Sequence, residues 1–141
     1  GCFEALASRR AIFRNIQSAV KKGQDTILVD MLGKDLADLR SGDLRKAIRQ
    51  GDKFVEKVIE QAAEYTGIAV GNLINLFNPQ FIILGGGIIE QLENEMMPII
   101  EKTAKAHALP GTAKGIEIAA TRLGDDAGIT GGAVLALRGT K

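Results

Sequence analysis

The stretch NPQFIILGGGII, residues 78–89, decides the fold of this chain. Four apolar residues, 81–84, follow Asn-Pro-Gln and end at three glycines. The run is too short for a helix and rich in isoleucine, so it predicts a buried, central β-strand. The glycines predict a turn into a helix whose free N–H groups point into the same space, and a nucleotide could approach this backbone closely. A tight strand-to-helix turn without a ligand is the other interpretation that the sequence leaves open.

The segments before this strand predict mainly helices. An amphipathic pattern over residues 3–22 indicates a half-buried helix. Residues 25–32 leave strand and loop both open, and residues 35–39 and 43–50 predict two short helices that form an insert or cover.

The longest predicted helix begins at Asp52, a plausible N-cap, and ends at Asn78 because Pro79 disfavours helical geometry there. Its apolar face carries small residues that would allow close packing against the sheet. These are Ala62, Ala63, Ala69 and Gly71.

The segments after the glycines predict a second amphipathic helix, which Pro98 should kink or restart. Ile116, Ile118 and Thr121 then indicate a second strand. A strand, a helix and a strand in this order predict a parallel pair with a right-handed connection.

The end of the chain predicts a closing helix over residues 129–137, buried because it is uncharged and apolar. Asp125 and Asp126 precede it, and an N-cap is the favoured interpretation of this pair over a magnesium site. His107, the only histidine, is interpreted as a surface residue at a helix end.

The composition predicts one compact cytoplasmic domain. The chain has 141 residues, of which 45% are hydrophobic, and its formal net charge is +1. The charges are scattered, so this segment shows no pattern for nucleic-acid binding. A single cysteine excludes an intrachain disulfide, and there is neither a signal peptide nor an apolar run that could span a membrane. Because the chain opens at Gly1 without an initiator methionine, we expect it to be a fragment of a longer protein.

Three motifs in series resemble the C-terminal half of the ROK family of bacterial sugar kinases and sugar-responsive repressors. They are GCFEALAS at residues 1–8, NPQFIILGGG at residues 78–87, and LGDDAGITGGA at residues 123–133. The resemblance spans essentially the whole chain. It implies an α/β fold over residues 1–141, the C-terminal lobe of an actin-like ATPase (ribonuclease H-like) fold, with parallel or mixed strands covered by long helices.

The first motif carries two implied roles. In the family, a Gly-Cys-x-Glu segment supplies a zinc ligand and a carboxylate that contacts sugar hydroxyls, and these positions correspond to Cys2 and Glu4. On chemistry alone, Cys2 is more often a small buried hydrophobe and Glu4 a solvated residue of a first helical turn. The three further zinc ligands of the family lie upstream of Gly1, so Cys2 by itself cannot hold a structural zinc.

The second motif matches the adenosine motif of the family. The resemblance therefore implies that Gly85, Gly86 and Gly87 line the adenine and ribose of ATP, with Ile88 beside them, and that ATP and Mg²⁺ are cofactors. The third motif is assigned to structure.

The family's phosphate loop, general-base aspartate and second glycine loop have no counterpart in this sequence. We therefore predict no catalytic residue here and expect these 141 residues alone to be inactive, because phosphoryl transfer depends on those groups. The resemblance implies the C-terminal part of an ATP-dependent hexose kinase, glucokinase-like and homo-oligomeric. The alternatives are the effector-binding part of a repressor, or a standalone interaction or oligomerisation module.

Overall fold

The computed structural model describes residues 2–139, apart from the side chain of Asp125. The helices are α1 (Phe3–Ala7), α2 (Arg9–Lys21), α3 (Ile27–Leu32), α4 (Ser41–Arg49), α5 (Lys53–Phe77), α6 (Gly87–Gln91), α7 (Glu93–His107) and α8 (Ala127–Arg138). The strands are β1 (Phe81–Leu84) and β2 (Glu117–Ala120), and a 3-10 turn covers Gly124–Asp126.

The two strands pair in parallel, with Phe81 opposite Glu117 and Leu84 opposite Ala120. This confirms the predicted strand, helix and parallel strand. The prediction of a buried central strand is wrong, because the side chains of Phe81 and Ile83 are 60% and 70% exposed. Within residues 2–139 the sheet has two strands, and only the face that carries Ile82 packs against the core.

Helix α5 packs most extensively against α7. Its small residues let the two backbones approach, since a Cβ built on Gly71 would stand only 3.0 Å from the carbonyl oxygen of Ala104. Ala62 and Ala63 are buried on the same helix. The prediction of close packing through small residues on α5 is confirmed. The predicted packing partner, the sheet, is wrong, because the partner is helix α7.

The first predicted helix is divided in two at Ser8. Its backbone is extended (ψ 157°), and its hydroxyl accepts a hydrogen bond from the backbone N–H of Ala11 at 3.1 Å. Serine is favoured at such an N-cap because the hydroxyl satisfies a free backbone donor of the first turn. The sequence showed the shared apolar stripe but not this break.

The segment after α2 also differs from expectation. Residues 27–32 form a helix rather than a strand or loop, and Thr26 caps it by accepting from the N–H of Leu28 at 3.3 Å. Residues 35–39 form turns, so the prediction of the first of the two short helices is wrong. The second is confirmed as α4.

Asp52 caps α5 as predicted, and its side chain also contacts the start of α3. Its carboxylate accepts hydrogen bonds from the N–H of Val55 at 3.0 Å, the hydroxyl of Thr26 at 2.6 Å and the N–H of Ile27 at 2.8 Å. This buried carboxylate therefore joins the starts of α3 and α5.

The end of α5 is confirmed at Asn78, which adopts the left-handed conformation (φ 43°, ψ 52°). Helix α7 continues through Pro98, and the interruption of the predicted second helix falls earlier, at Leu92, between α6 and α7. His107 is exposed at the end of α7, as predicted.

The prediction that the closing helix is buried is wrong. None of the described side chains of α8 is buried. Ile129 and Leu137, for example, are 77% and 87% exposed. Asp126 occupies the N-cap position, but its side chain makes no capping hydrogen bond. The apolar composition predicted a helix that needs cover, and no element in residues 2–139 provides it. In the same range, no helix combines the length and apolar character needed to cross a bilayer.

Candidate functional site

The three glycines between β1 and α6 each occupy a different environment. Gly86 has φ +106° and ψ 157°, a conformation that is essentially restricted to glycine. A Cβ on Gly85 would meet Thr121 Cγ2 at 3.0 Å, so a small residue is needed here because the residue that follows β2 lies close by. A Cβ on Gly87 would meet nothing within 4 Å. The turn thus needs glycine at Gly86 for its backbone, whereas Gly87 leaves open space.

Helix α6, which the turn leads into, is only five residues long. Its few aligned peptide units give it little dipole, so the predicted contribution of free helix N–H groups is small. Close approach to the exposed backbone of Gly85 and Gly86 is therefore the stronger reason for a ligand to bind here.

A cavity of about 300 Å³ lies against this turn. One wall is formed by residues 84–89, and another comes from α1 and the residues that link it to α2. The wall residues from this N-terminal segment are Phe3, Ala7, Ser8 and Arg9. Folding therefore brings together the first two predicted motifs, which are far apart in the sequence. Ile88, predicted to flank the site, is buried and lines this cavity.

A larger groove of about 1180 Å³ adjoins this cavity, and both Arg9 and Gly87 line the two spaces. We call it the basic groove; α2, the start of α4 and α6 form its walls. Its charged lining residues are five basic and two acidic side chains: Arg9, Arg10, Arg14, Arg40, Lys46, Asp43 and Glu90. One of the two acids is already engaged, because Asp43 accepts from the N–H of Arg40 at 3.0 Å and pairs with Lys46 at 3.6 Å.

The sequence reasoning missed the basic groove because the chain's charges look scattered and its net charge is only +1. The available signal was the spacing of Arg10 and Arg14, which places both on one side of a helix. Arg40 joins them only through the tertiary fold.

Glu4 and Cys2 lie beside the cavity rather than in its wall. Both are exposed, Glu4 on α1 and Cys2 at its N-terminal boundary. Within residues 2–139, no group of three or more His, Cys, Asp or Glu side chains could hold a metal ion. The described residues therefore do not fit a zinc site at Cys2 by themselves.

The third motif reaches the same region through its turn. A Cβ on Gly124, where φ is +55°, would stand 3.8 Å from Glu90 Oε2, which lines the basic groove. Helix α8 itself lines neither space.

The amino-acid sequence matches the ROK family over residues 1–139, and the chain belongs to this family. It is 34% identical over 132 residues to a glucokinase of Halalkalibacterium halodurans, a match that covers 94% of this chain and 39% of the relative. It is 31% identical over 109 residues to the DNA-binding transcriptional dual regulator NagC of Escherichia coli. This match covers 77% of this chain and 25% of the regulator.

The fold is also similar to a solved ROK family glucokinase from Streptomyces griseus in complex with glucose and AMPPNP. The TM-score is 0.82 at 27% identity, over 99% of this chain and 45% of that chain. The predicted family and fold class are thereby confirmed: this is a mostly helical α/β segment with a small parallel sheet, matching part of an actin-like kinase chain. The chain spans about two fifths of the length of the glucokinases it matches.

Proposed function

We propose that residues 1–141 form the C-terminal lobe of an ATP-dependent hexose kinase of the glucokinase type. One observation carries this proposal: the 300 Å³ cavity has the glycine turn on one side and α1, the helix of Glu4, on the other. A kinase must hold its sugar and its nucleotide side by side, because phosphoryl transfer depends on positioning. The position of two predicted binding motifs beside one cavity supports such an arrangement.

The nucleotide half of the site is assigned to Gly85, Gly86, Gly87 and Ile88. Residues without a Cβ let the adenosine of ATP lie against the backbone, and the open space at Gly87 is where a side chain would obstruct it. The adjoining basic groove offers positive charge to phosphate oxygens. Mg²⁺ would arrive with the phosphates and neutralise their charge during transfer.

The sugar half of the site is assigned to Glu4. An exposed carboxylate can accept hydrogen bonds from two sugar hydroxyls, and a site built in this way rejects sugars that lack them. We assign the catalytic base and the phosphate loops to parts of the protein outside these 141 residues, so the segment alone is expected to be inactive. Cys2 would supply one thiolate to a structural zinc whose other ligands also lie outside this segment.

The test is a coupled assay of ADP release by the full-length protein with ATP, Mg²⁺ and a panel of hexoses. We expect turnover with at least one hexose, and we expect Glu4→Gln to raise the KM for that sugar at least tenfold, roughly the loss of one charged hydrogen bond. The KM for ATP should stay within about twofold, since Glu4 is assigned to the sugar half of the site. Glu93→Gln, an exposed glutamate at the start of α7, is the matched control. No turnover with any sugar would contradict the proposal.

A sugar-responsive repressor is the second candidate, supported by the 31% identity to NagC. In that case the site at Glu4 would bind an effector sugar and bias a DNA-binding domain elsewhere in the protein. Sugar-dependent release of operator DNA by the full-length protein, together with no kinase turnover, would favour it.

We further propose that the full-length protein is a cytoplasmic homo-oligomer. The exposed apolar side chains of α8 support the view that other parts of the assembly cover this helix. They fit the third possibility, an interaction module, equally well. Sedimentation of the full-length protein at several concentrations tests the oligomeric state, and a monomer throughout would contradict it.

A further inference from the structure

Helix α1, which carries Glu4, is a short element that packs against α5 and α2. It is a single turn, cut off from α2 at Ser8, and only Ala7 among its residues is buried. Phe3 and Leu6 are 49% and 40% exposed. A one-turn helix is not stable by itself, so its orientation depends on contacts with neighbouring elements.

One such contact comes from Arg14 on α2. Its Nη2 donates a hydrogen bond to the carbonyl oxygen of Ala5 at 3.0 Å. Ala5 directly follows Glu4, and its carbonyl belongs to the last turn of α1, where carbonyl groups lack partners within the helix. A guanidinium is a strong, charged donor, so this bond ties the end of α1 to α2.

We propose that Arg14 is a positioning residue for sugar binding: it holds the backbone of α1 and so fixes where the Glu4 carboxylate points. The inference rests on the proposed role of Glu4 as the sugar ligand. Arg14 contacts α1 through the main chain and leaves the Glu4 side chain free for a hydroxyl.

Arg14 also lines the basic groove beside Gly87, so a second role in nucleotide binding must be separated from the first. Arg10 provides the matched control. It lies one turn earlier on α2 and lines the same groove, but within residues 2–139 it makes no hydrogen bond to α1. Arg10→Ala removes the same charge from the groove and leaves α1 held.

The experiment measures glucose and AMPPNP binding to the full-length protein by calorimetry. We expect Arg14→Ala to weaken glucose binding roughly five- to tenfold, the effect of one exposed charge-assisted hydrogen bond. AMPPNP binding should weaken no more than in Arg10→Ala. Arg14→Lys should recover part of the glucose affinity, because an ammonium keeps one donor but not the planar fork.

Hydrogen exchange of the backbone amides of residues 3–8 supplies a readout that needs no ligand. We expect faster exchange in Arg14→Ala than in Arg10→Ala, with the same midpoint of thermal unfolding in both. Equal glucose affinity in Arg14→Ala and Arg10→Ala, or equal loss of both ligands, would overturn the inference. If the unsubstituted protein bound no hexose, the proposed function would fail, and the exchange rates alone would decide whether Arg14 orders α1; unchanged rates would overturn that too.

Discussion

Gly67 on α5 lies so close to Thr103 on α7 that no side chain fits between them. A Cβ built on Gly67 would stand 2.5 Å from the Thr103 Cβ and 2.9 Å from the carbonyl oxygen of Ile100. Gly67→Ala should therefore push the two helices apart and lower the free energy of unfolding by about 1–3 kcal/mol, despite the better helix propensity of alanine. Denaturant unfolding of the full-length protein measures this.

The control for that prediction is Gly42→Ala in α4. There a Cβ would meet only Gln91 Oε1, at the ordinary contact distance of 3.6 Å, so the stability should stay the same or rise slightly. If both variants lost equal stability, the close approach of α5 and α7 would not be the cause.

The buried carboxylate of Asp52 offers a second test of stability. Asp52→Ala leaves the hydroxyl of Thr26 and the N–H groups of Ile27 and Val55 without their acceptor. We expect the free energy of unfolding to fall by about 2–4 kcal/mol, because the donors at the starts of two helices lose their acceptor and α5 also loses its N-cap. Asp38→Ala, at an exposed position in the turns before α4, should change the stability by less than about 0.5 kcal/mol. Equal effects in the two variants would argue against a structural role for Asp52.

Asn75 ties the end of α5 to the loop that follows α7. Its Nδ2 donates to the His107 carbonyl at 3.0 Å, and its Oδ1 accepts from the Leu109 N–H at 2.7 Å and the Thr112 hydroxyl at 3.1 Å. Asn75→Ala should destabilise the protein by about 1–2 kcal/mol, since the side chain is partly exposed and water replaces part of what is lost.

Loosening should be local to the loop over residues 109–115, and hydrogen exchange or limited proteolysis should detect it there first. Asn72→Ala, an exposed asparagine one turn earlier on α5, serves as the control. The prediction would be contradicted if the backbone amides of this loop exchanged no faster in Asn75→Ala than in the Asn72→Ala control.

Substitutions at Gly86 and Gly87 separate ligand binding from folding. Gly87→Ala places a methyl group in open space, so the fold should be unchanged while the KM for ATP rises roughly tenfold through obstruction of the bound nucleotide. Gly86→Ala forces a side chain into a conformation with φ +106°, at a cost of about 1–3 kcal/mol. Its thermal midpoint should fall. A glucose KM that rose as much as the ATP KM in Gly87→Ala would sink the adenosine assignment.

This pair is a clearer test than a single substitution of Gly86 by a larger residue such as valine. The positive φ means that any side chain there disturbs the backbone itself. Loss of nucleotide binding in such a variant would not distinguish a ligand contact from a folding defect.

Local signals predicted much of the fold. Four consecutive apolar residues between Pro79 and Gly85 predicted β1, and Asp52 and Asn78 marked both ends of α5, because caps and proline act on the nearest few residues. The break at Ser8 was missed, since the apolar stripe of α1 and α2 runs through it and periodicity does not register a single capping residue.

Burial was the least predictable property. Helix α8 and one face of β1 are apolar, yet both are exposed within residues 2–139. Apolar composition indicates that burial of an element is favourable. Which element or partner buries it depends on the tertiary and quaternary structure.

By itself, the sequence determined the glycine turn, the helices that flank it and, through three ordered motifs, the ROK family, because each of these depends on residues close together along the chain. Only the tertiary structure decided that the turn and α1 share one cavity, that Arg14 holds the backbone beside Glu4, and that four arginines gather in one groove. Those relationships join residues from separate elements, and their geometry depends on how α1, α2 and α4 pack against α5 and α6 rather than on any local pattern.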